Sequence, residues 1–126
     1  MELVKEYPWL CPKRTEDGSI CTDYDYSWTI LDNLPQGWCI FILGMCKRIK
    51  GILEELNLVD KYMVPEAKEK YGALSWFHYM SDWSRVPQAI TDTTCFYEHA
   101  SQIICPICGN IKPAEKDVCI KCEDKI

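Results

Sequence analysis

The stretch LDNLPQGWCIFILGMCKRIKGILEELNLVDKY, Leu31 to Tyr62, decides the fold. Trp38, Phe41, Met45, Ile49, Ile52 and Leu56 recur at three- and four-residue steps, and Ile42 and Leu53 widen the stripe. That period is the signature of a helix with one buried face. Lys47, Arg48, Lys50, Glu54 and Glu55 fall on the other side. Asp32 and Asn33 offer caps, and Pro35 suits a first turn. Gly44 and Gly51 each cost about 1 kcal/mol against alanine inside a helix, so their smallness is expected to admit a close neighbour. Cys39 and Cys46 share a helical face and read as buried thiols, with no histidine nearby in sequence to complete a metal site.

Beyond this helix, KYMVPEAKEKYGALSWFHYM (61–80) predicts a hairpin. Tyr62, Val64 and Ala67 bound its first strand, and Pro65 demands an edge or a bulge. Lys68 to Gly72 form the turn region, and the aromatic-rich run from Ala73 to Met80 is the second strand. His78 lies in that strand and reads as a packed or half-exposed side chain. A second helix starts near Val86 or Pro87 and runs toward Ile103, with Ile90, Thr93, Tyr97, Ala100 and Ile104 facing inward. On it Cys95 and His99 stand four apart, the reach a cysteine nucleophile needs from a base, but no third member or oxyanion donor accompanies them.

The chain before the first helix is loop-like and acidic. Up to Ile30 it carries Glu2, Glu6, Glu16, Asp17, Asp23 and Asp25 against Lys5, Lys13 and Arg14. Tyr7, Trp9 and Leu10 are expected to fold back onto the body. Asp23, Tyr24, Asp25, Tyr26 and Trp28 form an acidic aromatic patch. One reading makes it a turn into a strand whose aromatics pack inward; the other makes it a surface that contacts a partner. Cys11 and Cys21 lie in this loop, too few for a metal site without ligands from elsewhere.

After the second helix comes CPICGNIKPAEKDVCIKC, Cys105 to Cys122. Two Cys-x-x-Cys pairs are the spacing of a tetrahedral zinc site, with four thiolates about 2.3 Å from one ion. A redox Cys-x-x-Cys normally stands alone, and nine cysteines form no even disulfide framework. Free or disulfide-bonded thiols are the alternative. Gly109 suits the positive φ of a knuckle turn. Cys105, Cys108, Cys119 and Cys122 are therefore the expected ligands of one structural Zn2+ per chain. Four thiolates close the shell, which makes the ion a staple and leaves no position for substrate.

These elements predict an α+β fold: two helices packed on a small antiparallel hairpin, with a C-terminal four-cysteine zinc knuckle continuous with the second helix. Residues 1–104 form the compact body and 105–126 a tail packed on the same domain. At 126 residues there is room for one real core. No apolar run reaches the ~18 residues of a membrane span. The opening MELVKEYPWL has two acids and no apolar core of a secretory signal, so a cytoplasmic location is expected. The formal charge is −5, falling to about −7 once four thiolates hold a divalent ion. Such a balance disfavours a nucleic-acid partner. No phosphate loop, nucleophile elbow or zinc-protease histidine pair occurs in the chain, so a non-catalytic role is expected.

Taken together, YPWL (7–10), DYDYSWTILDNLPQGW (23–38), KEKYGALSWFHY (68–79), the helix that follows and CPICG (105–109) resemble a group of small uncharacterised bacterial and bacteriophage proteins. Their pattern is a YPxL-like opening, a DxxPxGW helix start, a KEKxGxLRxY-like hairpin and a CxxCG knuckle, often with a second cysteine pair. Ser75 stands where that pattern has arginine, and NIKPAEKDV lacks a Gly-Trp pair and shortens the second knuckle. The resemblance implies a phage or mobile-element accessory protein in a bacterial host cytoplasm. With the charge and the aromatics, it leads to a protein that binds a basic surface on a protein partner, such as an anti-CRISPR-like inhibitor of a defence nuclease complex. Two alternatives stand beside it: a zinc ribbon binding nucleic acid through Lys112, Lys116, Lys121 and Lys125, and a small enzyme using Cys95 with His99, or His78.

Overall fold

A computed structural model describes residues 3–15 and 17–125, the side chain of Lys125 excepted. Glu2 and Glu16 of the acidic segment lie outside the described residues. The chain begins with a short helix α1 (Leu3–Glu6) and a 3-10 turn at Pro8–Leu10. Tyr7, Trp9 and Leu10 do fold back into the core, and Trp9 and Leu10 are fully buried.

The expected strand after the acidic aromatic patch is absent from the described residues. In its place Ile30–Asn33 form a 3-10 turn. Thr29 accepts a hydrogen bond from Leu31 N–H, and Asp32 reaches back to Thr29 N–H at 2.9 Å. Such local side-chain bonds compete with a strand ladder and here displace it. Asp32 therefore caps this turn and not the long helix. Pro35 forbids the helical region to Leu34, which is extended (φ −113°, ψ 157°). The chain re-enters through a 3-10 turn at Gln36–Trp38 and only then becomes helix α2, Cys39–Leu56. Its buried stripe is Ile42, Met45, Cys46, Ile49 and Leu53. Phe41 and Ile52 flank that stripe, while Leu56 emerges into solvent and Cys39 is half-buried. A side chain at Gly44 would meet the Tyr97 hydroxyl at ordinary contact distance, and one at Gly51 would meet nothing. Neither glycine therefore admits the close neighbour expected of it. Asn57, left-handed at φ 57°, ends α2 by donating its N–H to Leu53 and Glu54 carbonyls.

Strands β1 (Tyr62–Lys70) and β2 (Ala73–Met80) form the antiparallel hairpin, with a bulge between Met63 and Glu66 at Pro65. The turn is tighter than Lys68–Gly72. Lys70 pairs Ala73, leaving Tyr71 (φ 53°) and Gly72 (φ 84°) as a two-residue loop. Two positive φ values match the right-handed twist of the strands. Helix α3 runs Gln88–Ala100 and tightens to a 3-10 turn over Ser101–Ile103. Its buried side is Ile90, Thr94, Tyr97 and Ser101, one position off the expected Thr93 and Ala100. Polar residues set that offset. Ser101 Oγ accepts Leu74 N–H at 2.7 Å and Glu98 Oε2 accepts Trp76 N–H at 3.0 Å, which satisfies the outer edge of β2. The architecture is α+β, with two long helices, one hairpin and a cysteine cluster at the C-terminal end.

Candidate metal centre

The sulfurs of Cys105, Cys108, Cys119 and Cys122 all lie within 4.8 Å of one another, so the cluster can hold a metal ion. Sulfurs around a tetrahedral zinc at about 2.3 Å stand about 3.8 Å apart. Cys108 and Cys119 approach to 3.4 Å, so little movement separates this arrangement from a coordinating one. Cys105, Cys119 and Cys122 are buried and Cys108 faces solvent.

The first pair sits on a tight turn. Gly109 N–H donates to Cys105 O at 2.9 Å and Cys105 N–H to Asn110 O at 2.7 Å, with Gly109 at φ 81°. Cys119 N–H points at Cys105 Sγ at 3.4 Å. Burial pushes the Cys105 thiol up, but N–H groups from Cys119, Cys108 and Ile107 outweigh it and bring the pKa down to about 6. The backbone thus favours the thiolate at Cys105, while burial and the neighbouring cysteines push the Cys122 thiol up.

This turn is locked to the start of α2. Gly37 N–H donates to Pro106 O at 2.8 Å, and the Trp38 indole donates to Ile104 O at 2.9 Å. A Cβ on Gly37 would lie 2.4 Å from Cys105 O and 2.8 Å from Gly109 N. Only glycine permits that approach. The Pro-Gln-Gly-Trp motif, which the sequence marks only as a helix start, is therefore also the seat of the knuckle.

The other candidate residues lie apart from this centre. Tyr24 is buried, and its hydroxyl donates to Trp28 O. Tyr26, its ring tilted against Tyr24 with centroids 4.9 Å apart, and Trp28 are each 41% exposed. Asp23 pairs Lys13 at 3.1 Å. Asp25 accepts from the Ser27 hydroxyl and N–H, which hold its carboxyl below the usual range. His78 Nδ1 lies 2.7 Å from the Tyr62 hydroxyl, which also receives the Trp76 indole N–H at 3.0 Å. An indole can only donate, so the arrangement that satisfies all three groups has Tyr62 donating to Nδ1. His99 Nδ1 faces the Cys95 carbonyl at 2.9 Å, and both residues are exposed. Cys11 Sγ donates to Lys13 O at 3.2 Å, and burial raises its pKa. Among the described residues no second cluster of metal-binding groups occurs.

Of the four lysines weighed for phosphate contact, Lys112 is buried with its ammonium on main-chain carbonyls, Lys116 and Lys121 are exposed, and the side chain of Lys125 lies outside the described residues. The two most exposed aromatics among the described residues escaped the sequence reading as surface features. Tyr71 at the hairpin tip is 95% exposed, and Trp83 is 81% exposed and stacked on Tyr79 at 5.0 Å. Tyr71-Gly72 in a two-residue turn was the one available signal for the first. No helix among the described residues is long and apolar enough to cross a membrane.

Fold and site define a small α+β protein with a four-cysteine metal-binding centre. Comparison with protein-family models, curated proteins and solved structures finds no match to this chain.

Proposed function

We propose that the chain is a zinc-stabilised, non-catalytic binding protein that acts through exposed aromatic side chains on a protein partner with a basic surface. One observation carries this reading. Among the described residues four non-glycine positions have positive φ, and three of them are exposed aromatics: Tyr26 (φ 63°), Tyr71 (φ 53°) and Trp83 (φ 62°). Bulky residues in the left-handed region are outliers whose strain persists where surrounding structure or function maintains it. Tyrosine and tryptophan are also the residues that dominate binding energy at interfaces. The acidic balance, −5 before any metal, steers the molecule toward basic surfaces.

Zinc is the metal that four closely set thiolates suit best, in a closed shell with a structural role. The resemblance to phage and mobile-element proteins supports a bacterial cytoplasm as its setting. There the basic channel of a defence nuclease complex fits its charge, as for an anti-CRISPR-like inhibitor. Expression in hosts carrying such a complex should restore plating of a targeted phage. A Tyr71→Ala, Trp83→Ala double variant should lose that protection with its zinc content and circular dichroism intact. Failure to protect against any nuclease complex tested, with no basic protein captured from those hosts, would overturn the proposal.

A further inference from the structure

Lys112 lies in the loop between the two cysteine pairs with 5% of its surface exposed, and no other charged side chain among the described residues is buried. A buried ammonium is costly unless its donors are met. Here Nζ donates to Gln102 O at 2.5 Å, Lys116 O at 2.7 Å and Pro113 O at 3.3 Å. Three donors meet three main-chain carbonyls. Gln102 belongs to the turn that ends α3, where carbonyls lack helical partners and carry partial negative charge. Pro113 and Lys116 are the two ends of a turn closed by Lys116 N–H on Pro113 O at 3.1 Å. Lys112 N–H itself holds Ile103 O at 2.8 Å. Between Asn110 and Val118 the only buried apolar side chain is Val118, so apolar packing does not shape this loop.

We propose that Lys112 is the positioning residue of the metal centre. Its ammonium sets the loop that delivers Cys119 and Cys122 to Cys105 and Cys108, and it places a fixed positive charge in the loop of a tetrathiolate site whose net charge is about −2 with zinc bound. Lysine serves because its compact head can point three donors at converging carbonyls; a planar guanidinium would keep the charge and reach part of that set. The inference rests on the four cysteines binding zinc.

The test is zinc affinity of the full chain by competition with a chromophoric chelator, with cobalt(II) absorption reporting the ligand set. Lys112→Met should weaken binding about 10–100-fold, the range for groups that orient metal ligands, and alter the cobalt spectrum. Lys112→Arg, which keeps the charge, should bind more tightly than Lys112→Met. Lys116→Met removes the same formal charge from an exposed side chain and should stay within about twofold of wild type. Wild-type affinity in Lys112→Met, an equal loss in Lys116→Met, or an arginine variant no better than methionine overturns the proposal. Should Lys112→Met fail to fold at saturating zinc, acylation of the lysines in wild-type protein decides. Lys112 must react slowest and its modification must coincide with zinc release; modification with the metal retained overturns the role. Wild-type protein that binds neither zinc nor cobalt defeats the metal reading itself, a separate outcome.

Discussion

The helix–hairpin body and the segment from Ile103 to Cys122 are held by different forces. In the body, Trp9, Trp38, Ile42, Met45, Ile49, Leu53, Tyr62, Met80 and Ile90 are buried in one continuous cluster. Each such side chain contributes about 1.5–3 kcal/mol on leaving water. The segment buries only Val118 with three of its cysteines in a cluster of its own. Apart from Ile104, which packs against the body's core, what holds it is polar: turn bonds, the Lys112 ammonium, and the seat on Gly37 and Trp38. Hydrophobic burial tolerates local loss because it is spread over many residues. A knuckle built from four converging thiols and a few directed bonds fails as a unit.

Removing the proposed zinc should give the largest effect, since structural zinc in small finger domains binds with about 10 kcal/mol or more. Chelation or Cys105→Ser is expected to abolish amide-exchange protection from Ile103 to Cys122 while the interior of α2 and the hairpin stay protected. Mass-spectrometric exchange reads both regions at once. Equal loss in the two would show that they are a single cooperative unit and erase the contrast. Gly37→Ala attacks the seam between them. Its Cβ would stand 2.4 Å from Cys105 O, and the obstacle is backbone, which cannot swing away. Overpacking of this kind costs about 1–3 kcal/mol. Zinc affinity and thermal stability should fall together in this variant. A drop in stability with unchanged zinc affinity would detach the seam from the metal centre.

The sequence made the body legible because its signals are periodic and redundant. Ile42, Met45, Ile49 and Leu53 mark one face, and Pro65 announces the bulge. The four cysteines were equally plain, since thiolate pairs at that spacing have few other uses. What stayed hidden depends on contacts between distant residues. Gly37 against Cys105 and Gly109, Lys112 against Gln102, and Ser101 and Glu98 against the β2 edge leave no local pattern. The false strand before α2 has a local cause. Its aromatics read as strand residues, but Asp25, Thr29 and Asp32 each bind nearby backbone N–H groups and curl the chain instead.

Acid should sharpen the contrast from the side of the body. Burial lowers the His78 pKa below its usual 6.5 in the folded chain, so the unfolded chain binds the extra proton first. Stability is then complete above about pH 6.5 and declines as pH falls from there to the folded value. Burial of the ring beside Tyr62 gives the decline its structural cause. Asp17 and Asp82, each held down to about 2 first by bonds from the Thr15 and Ser84 hydroxyls, lose their contribution only below their ordinary 3.8, a separate window. Denaturant midpoints between pH 7 and 5 test this: His78→Gln should flatten the slope, and an unchanged slope would assign it elsewhere.

The smallest expected effect carries the most information about function. Tyr71 is left-handed at φ 53°, a conformation that asparagine adopts more readily in a two-residue hairpin turn. Its side chain is 95% exposed and its ring meets the Lys70 ammonium only at 6.0 Å, so little packing is lost on replacement. Tyr71→Asn should therefore stabilise the chain, by up to about 1 kcal/mol, seen as a higher urea midpoint with an unchanged slope. A destabilised variant would mean that the ring braces the hairpin and that its backbone strain has a structural reason. A stabilised variant that no longer protects a phage would mean that the strained tyrosine is kept at the tip for contact, at a cost in stability the body can carry and the knuckle could not.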